Sequence, residues 1–347
     1  MLSTLLLVTS PFPNLSPPTP NPKDVRAAVE AALPLLKKGA TGHAEQKTCF
    51  ACHNQAPPML AFSAANGRGF TIAPALLKAQ ADHISGFLET NRARFADGRG
   101  TGGQVDSAGS ALFTLELAGH KPDANTAAVV EFLLKVQADR DHWRTSGNRP
   151  PTEASDFSAT YLAIRGLKFW GPPANADKQK IAKRVESART WLVKTPAKDT
   201  EDRVFRLLAL KEAGADAKEV AAAAWELQQS QRPDGGWSQL DGGRSDAYAT
   251  GAALVALHLG GGLKTDSPAY RMGLVHLLKT QRADGTWFVK SRSKPFQPYY
   301  ESGFPHEKDQ FIALSASGWA TAGDLVGASG TVYSLGAYGF RCVFEGP

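Results

Sequence analysis

From residue 23 onward, the chain alternates two kinds of apolar segment, both with helical spacing. One kind is amphipathic, as in residues 126–137 (TAAVVEFLLKVQ) and 270–281 (YRMGLVHLLKTQ), and places its apolar side chains on one face. The other kind, such as residues 246–261 (DAYATGAALVALHLGG), is apolar on almost every face and predicts a helix surrounded by protein. Gly, Pro and Asp separate the segments, and runs of β-branched residues are few. The pattern predicts an all-α protein.

The segments that are apolar on every face share a common beginning. Five of them open with Asp and most close on Gly, which are favourable residues for the start and the end of a helix. Counting back 53 residues from the first of these starts reaches His53, which opens a sixth segment of the same kind. An amphipathic segment precedes each one, beginning with residues 24–39. The chain therefore contains six predicted pairs of an outer and an inner helix, and the five acidic starts are Asp106, Asp156, Asp202, Asp246 and Asp309.

A buried inner ring of six helices favours a closed arrangement. An open stack of helix pairs would leave an apolar face at each end, and each face would need a cap. We therefore expect residues 23–324 to form one α/α toroid of about six helix pairs.

Three turns repeat a Gln and a Trp six residues apart. They read QRPDGGW at 231–237, QRADGTW at 281–287 and, more degenerately, QADRDHW at 137–143. A single copy could be a generic Asp-Gly turn beside a structural Trp, but copies 50 residues apart are not explained in this way. These turns resemble the QW repeats of the squalene-hopene cyclase and oxidosqualene cyclase families. The resemblance covers about residues 23–324 and implies a terpenoid cyclase or prenyltransferase-like toroid, in which the Gln and Trp tie one outer helix to the next.

The pentapeptide CFACH, from Cys49 to His53, has the spacing of a c-type haem attachment site. Two thiols bond the vinyl groups while the adjacent imidazole binds the iron. A structural zinc site would need four ligands, usually with a second Cys or His pair, and a thioredoxin-like redox pair would be expected in a βαβ context. We therefore predict one covalent haem c at the start of the first inner helix. Cys49 and Cys52 would attach it, and His53 would bind its iron.

A sixth iron ligand would have to come from across the porphyrin. His306 is the first candidate, because it lies three residues before Asp309 on the rim that His53 is predicted to share. His142 and His43 are the next candidates. Met59 belongs to the same helix as His53 and is better explained as helix core. The other histidines are interpreted as helix-surface or helix-terminus residues: His83, His120, His258 and His276.

The interval between Trp287 and Asp309 is longer than its counterparts and combines aromatic and basic residues. Such a mixture would suit a lid over the haem, with Arg292 and Lys294 binding the propionates, although an ordinary surface insertion is the alternative. Arg149 and Arg244 are further candidates for the propionates. The aromatic residues of the interval are Phe296, Tyr299, Tyr300 and Phe304.

Class II terpenoid cyclases protonate their substrate with the central Asp of a DxDD motif at the start of an inner helix. The nearest match here is DTED, residues 199–202, in which Glu201 stands at the position of the proton donor. The resemblance implies Glu201 and Asp202 as catalytic candidates. Thr200 and Asp202 would also make a good helix cap, and the other rim aspartates are better explained as N-caps than as acids or metal ligands.

Composition and termini add boundaries to these predictions. The 39 Lys and Arg against 33 Asp and Glu give a net charge of +6, but no dense basic run, which argues against a nucleic-acid binder. Residues 1–22 combine a short apolar stretch with a proline-rich linker, which we interpret as a leader or an incomplete signal peptide of a periplasmic or otherwise exported protein. No later segment is apolar for long enough to span a membrane. Residues 325–347 are a tail of unknown role, and Cys342 there is interpreted as a bystander thiol.

Three functional hypotheses remain open at this point. The first is an exported haem c protein that performs electron transfer or redox chemistry with a redox partner protein, using the toroid cavity for a small apolar or isoprenoid ligand. The second is a terpenoid cyclase-like isomerase or lyase with an acid at Glu201 or Asp202, although the chain has about half the length of a two-domain hopene cyclase. The third is a non-enzymatic module that presents its haem to a partner. Whether the chain is an enzyme is therefore left open.

Overall fold

The structure is a computed structural model, and it describes residues 18–172, 175–295 and 298–327. These residues form twelve α-helices and a short 3-10 helix, and no strand is found among them. The prediction of an all-α protein is thus confirmed. Most of the predicted leader and tail, including Cys342, lies outside the described residues.

Outer and inner helices alternate along the chain as the pattern predicts. The outer helices are α1 (Pro22–Gln46), α3 (Pro74–Ala96), α5 (Ala124–Lys135), α7 (Asn175–Lys194), α9 (Ala217–Gln229) and α11 (Pro268–Thr280). The inner helices are α2 (Cys52–Asn66), α4 (Gln104–Leu117), α6 (Asp156–Trp170), α8 (Thr200–Ala213), α10 (Ala247–Leu259) and α12 (Gln310–Gly327).

The six inner helices form a closed ring. Each packs against the next one in the chain, and α12 packs against α2 to complete the circle. At this closing contact, Gly318 lies so close to α2 that an added Cβ would be 2.7 Å from the backbone carbon of Pro57. The inner helices are buried on nearly all sides, as their uniformly apolar sequences require.

The QW-like turns fasten the outer helices in two of three cases. The amide of Gln231 donates to the carbonyl of Ala269 at the start of α11, and that of Gln281 donates to Ala28 of α1, both at 2.8 Å. The degenerate turn differs, because Gln137 bonds only to the backbone of Arg144.

In the degenerate turn, an arginine of the next outer helix makes the connection instead. Arg184 of α7 donates to the carbonyls of Arg140 and Val136 and lies 4.1 Å from the ring centroid of Trp143. The tryptophans of all three turns are fully buried, and each donates its indole N–H to a carbonyl of the preceding outer helix.

Candidate functional site

The inner helices all begin at one rim of the toroid, and the predicted rim aspartates do not share a single role there. Asp246 is the N-cap of α10, with its carboxylate accepting from the amide of Ala249. The caps of α4, α6 and α8 are Gly103, Ser155 and Asp199, so the N-cap interpretation was wrong for Asp106, Asp156 and Asp202.

Three of the rim aspartates accept hydrogen bonds from the loop that leads into their own inner helix. Asp156 accepts from the amide of Thr145, Asp202 from Lys198 and Asp309 from Ser291, at 2.8 to 3.0 Å. They therefore hold the rim loops in place. A carboxylate positioned this way also explains why Asp occurs at these three helix starts.

Cys49, Cys52 and His53 line one cavity at this rim. Cys49 is exposed on the loop between α1 and α2, and Cys52 and His53 are the first two residues of α2. Both thiols are free. The cavity, here called the loop cavity, has a volume of about 580 Å³, which lies in the range of ligand pockets. Its other lining residues include His43, Arg149, Glu153, Lys294 and Tyr300.

His53 has the environment of an uncharged imidazole. It is 5% exposed, and its Nδ1 is buried without a hydrogen-bond partner. Burial, with smaller contributions from Arg149 and His43, lowers its pKa to about 3. The neutral form, which is the form that binds metals, therefore prevails at neutral pH.

Cys52 differs from Cys49 in its surroundings. Its thiol donates weakly to the carbonyl of Asp106 at 3.7 Å. Burial raises the pKa of Cys52 well above its ordinary value, and the carboxylates of Glu153 and Asp106 raise it further. The thiol is therefore protonated at neutral pH.

The long interval after Trp287 lies over a second cavity of about 400 Å³, here called the insert cavity. His53, Arg149, Lys294 and Tyr300 line both the insert cavity and the loop cavity. Two of the cations predicted for propionates therefore lie beside His53. Tyr299 also lines the insert cavity, whereas Phe304 is buried elsewhere and Phe296 is outside the described residues.

The structure does not bring the remaining predicted residues to these two cavities. Arg292 donates to the side chain of Gln239 at 2.8 Å, and Arg244 lines neither cavity. His306 bonds to Thr286 at 2.7 Å and packs against Phe288 and Phe304, away from His53.

Of the other candidate ligands, only one lies near the predicted haem site. His142 stacks on Trp191 at 4.0 Å between ring centroids, on the outside of the ring. Among these candidates, His43 is the one that lines the loop cavity. Both of its ring nitrogens are hydrogen-bonded, to Tyr300 and to the carbonyl of Cys49. In the part of the chain that the structure describes, no group of three or more His, Cys, Asp or Glu residues is placed to hold a metal ion.

The ring encloses a third, central cavity of about 80 Å³ with mostly apolar walls. His53 and Cys52 lie on its wall, and so do Glu201 and Tyr248. The hydroxyl of Tyr248 donates to Glu201 Oε1 at 3.1 Å. Burial, followed by the carboxylate of Asp199, raises the pKa of Glu201 well above its ordinary value, so this carboxyl holds its proton more tightly than an exposed glutamic acid.

The acidic residues of the DTED segment, residues 199–202, have different contacts. Asp199 caps α8 by accepting from the amide of Asp202 at 3.0 Å. Asp202 itself accepts from the hydroxyl of Ser155 at 2.6 Å and does not line the central cavity. Glu201 is therefore the residue of this segment that a ligand in the central cavity could contact.

Several residues of the site were not singled out by sequence reasoning. His83 was interpreted as a surface histidine. Instead, it donates to the carbonyl of Lys47 and accepts from Gln55. Lys47 begins the loop of residues 47–51 between α1 and α2, here called the CFACH loop. Asn54 donates to the hydroxyl of Tyr300 at 2.9 Å. Asn54 and Gln55 follow His53 directly in an otherwise apolar segment, and that polarity was the available signal.

No helix among the described residues is both long and apolar enough to cross a membrane. No family model matches the sequence, and no curated protein matches it significantly.

Solved structures with the same fold do match. The apo type II terpene cyclase MstE from Scytonema is similar over 89% of this chain and 99% of its own, with a TM-score of 0.58 and 12% identity. A variant of that cyclase in complex with its substrate, geranylgeranyl dihydroxybenzoate, gives a TM-score of 0.55 at 12% identity, over 88% of this chain and 98% of its own. A protein from Actinoplanes gives 0.53 at 14% identity, over 88% of this chain and all of its own. The chain therefore has a terpenoid cyclase-like α/α toroid fold.

Proposed function

We propose that this chain is an exported c-type haem protein that acts in electron transfer or redox chemistry, with one haem attached at the rim of the toroid. The observation that carries the proposal is the placement of Cys49, Cys52 and His53 on one cavity of about 580 Å³. A redox partner protein belongs to the same proposal.

The residues present fit this group. The two thiols are free, and the neutral imidazole of His53 has a buried Nδ1 without a partner. Lys294 and Arg149 line the same space and would pair with two propionates, as basic side chains do with carboxylates. When bound, a haem supplies one-electron redox chemistry at its iron.

Attachment consumes no oxidant or reductant. Each thiol of Cys49 and Cys52 would add across a vinyl group, so that an S–H bond breaks and an S–C bond forms. The hydrogen passes to the other vinyl carbon. The protein thus only has to hold two thiols and one imidazole against one macrocycle.

The direct test is co-expression of the chain with a cytochrome c maturation system. Intact mass should rise by one haem, and the pyridine haemochrome spectrum should be that of two thioether bonds. The variant Cys49→Ala with Cys52→Ala should acquire no covalent haem, while the matched control Cys342→Ala should acquire it as the wild type does. An unmodified wild-type mass would overturn the proposal.

The central cavity sets the size of a ligand that the toroid could take. Its volume of about 80 Å³ is smaller than the roughly 150 Å³ cavity that holds benzene in an engineered protein. The aromatic side chains of Phe205, Tyr161 and Trp319 line this space. A small apolar ligand is therefore favoured, and a long polyprene would fit only after these side chains move.

A second candidate function, acid-catalysed isomerase or lyase chemistry, is favoured by one observation. Glu201 is 6% exposed and borders the central cavity, and burial raises its pKa well above the ordinary value. A buried, protonated carboxyl is what a general acid requires. This candidate predicts turnover of a small alkene or epoxide that is lost in Glu201→Gln and that does not depend on haem attachment.

A further inference from the structure

The CFACH loop, residues 47–51, is held by side chains in addition to the backbone hydrogen bonds that end α1 and begin α2. The imidazole of His83 donates to the carbonyl of Lys47 at 2.8 Å, and the imidazole of His43 donates to that of Cys49 at 2.8 Å. The amide of Ala51 donates to Gln55 Oε1 at 3.2 Å. Three alternate residues of the loop are thus fixed from α1, α2 and α3.

The side chains that hold the loop also hold one another. The amide nitrogen of Gln55 donates to Gln80 Oε1 at 3.0 Å and to His83 Nδ1 at 3.1 Å. Because His83 Nδ1 accepts, its Nε2 carries the proton that reaches Lys47. Gln55 and Gln80 are 0% and 1% exposed, so the bond between them is shielded from bulk water.

A parallel chain of hydrogen bonds reaches the loop from the other side. Asn54 donates to the hydroxyl of Tyr300, the hydroxyl donates to His43 Nδ1 at 2.6 Å, and His43 Nε2 donates to Cys49. Each group has one consistent role as donor or acceptor. These partly buried bonds restrict the conformations that the loop can adopt.

We infer that Gln55 and His83 are positioning residues that hold the loop from Lys47 to Ala51 in the conformation in which both thiols face one cavity. This inference rests on the proposed haem attachment and names the residues that prepare it. Neither residue touches the group itself. Their effect is to fix Cys49 and Cys52 relative to each other before attachment.

The test compares Gln55→Leu and His83→Phe with the control Tyr270→Phe, which also removes one buried hydrogen bond, from the Tyr270 hydroxyl to the carbonyl of Gly323. After co-expression with the maturation system, intact mass separates chains with and without haem, and peptide mapping separates one thioether from two. We expect both loop variants to lower the doubly attached fraction at least severalfold, with a gain in singly attached chain. The control should match the wild type, as should the circular dichroism of all variants.

Hydrogen exchange on protein without haem separates this inference from the proposed function. Loss of the hydrogen bonds of Gln55 or of His83 should speed exchange at residues 49–52 by at least about tenfold in the loop variants, whereas Tyr270→Phe should leave it unchanged. If the wild type takes up no haem, the proposed function fails, and exchange alone then decides whether these residues fix the loop. Wild-type attachment and wild-type exchange in both loop variants would overturn the inference.

Discussion

Two carboxyl groups of one helical turn have different surroundings. Glu201 lies on the central cavity with one hydrogen bond, from Tyr248, and burial raises its pKa. Asp202 accepts hydrogen bonds from Ser155 and from the amide of Lys198. The two neighbours therefore serve different purposes, one facing a ligand and one holding a loop.

This difference predicts opposite effects of two amide substitutions. Asp202→Asn should lower the free energy of unfolding by about 1 to 2 kcal/mol, because Asn keeps only one of the two acceptor oxygens that Ser155 and Lys198 use. Glu201→Gln should be nearly neutral near pH 4, where the carboxyl is protonated in both states, and should raise the free energy of unfolding at pH 7, where the raised pKa of Glu201 costs the wild type stability. Chemical denaturation of both variants checks this. Equal losses in the two would contradict the division of roles.

The raised pKa of Glu201 also predicts a dependence on pH. The folded state retains the proton above pH 4.5, where the unfolded chain releases it, so the wild type loses stability relative to Glu201→Gln as the pH rises from 4.5 toward the folded pKa. The difference in unfolding free energy between the two proteins, measured from pH 4 to 8, should show this slope. A difference that stays constant across the range would mean that Glu201 is ionised in the folded protein.

The histidines allow a further prediction for single residues. His306 is bound to Thr286 and lies away from His53, so His306→Ala should leave the absorption spectrum of the attached haem unchanged. His53→Ala should alter that spectrum, because it removes the proposed iron ligand. A changed spectrum in His306→Ala would restore His306 as the ligand across the iron.

At the scale of helices, the QW-like turns fasten the ring to different extents. Gln281 connects the turn after α11 to α1, whereas Gln137 bonds only within its own exposed turn. Gln281→Leu should therefore cost about 1 to 2 kcal/mol of unfolding free energy, and the matched Gln137→Leu should cost less than about 0.5 kcal/mol. Denaturant titration of the two variants tests this order, and a larger loss in Gln137→Leu would reverse the assignment.

The features of the fold that could be predicted from the sequence are those that depend on local interactions. Helix pairs and QW-like turns depend on spacing within a few dozen residues, so the six pairs and the closed ring could be predicted. That Arg184, and not Gln137, connects the degenerate turn to the next outer helix could not be predicted, because Arg184 lies more than 40 residues beyond that turn.

The site was predictable to a similar extent. The CFACH spacing identified the two thiols and the imidazole, and the rim placement of His53 followed from the repeat. The contacts of His83 and His306 depend on how outer helices and loops pack in three dimensions. Sequence reasoning therefore missed that His83 supports the loop and that His306 bonds to Thr286 and lines neither cavity beside His53.

At the scale of the whole molecule, the closing contact between α12 and α2 couples the stability of the ring to the site. Ser315 of α12 donates to the carbonyl of His53 at 3.1 Å, and Gly318 one turn later lies against Pro57. The helix that completes the toroid thus also sets the position of the helix that begins with Cys52 and His53. Helices that approach this closely need a residue without a side chain at the contact.

Gly318→Ala should therefore destabilise the protein, although alanine favours helices. Its Cβ would lie 2.7 Å from the backbone of Pro57, so α12 and α2 must separate, at a cost of about 1 to 3 kcal/mol. Gly323→Ala in the same helix is the matched control, because its Cβ would meet its nearest neighbours at 3.5 Å, an ordinary contact. It should be neutral or stabilising by up to about 1 kcal/mol. If thermal and denaturant unfolding gave the two variants the same stability, the close contact of α12 with α2 would not be what holds the ring closed.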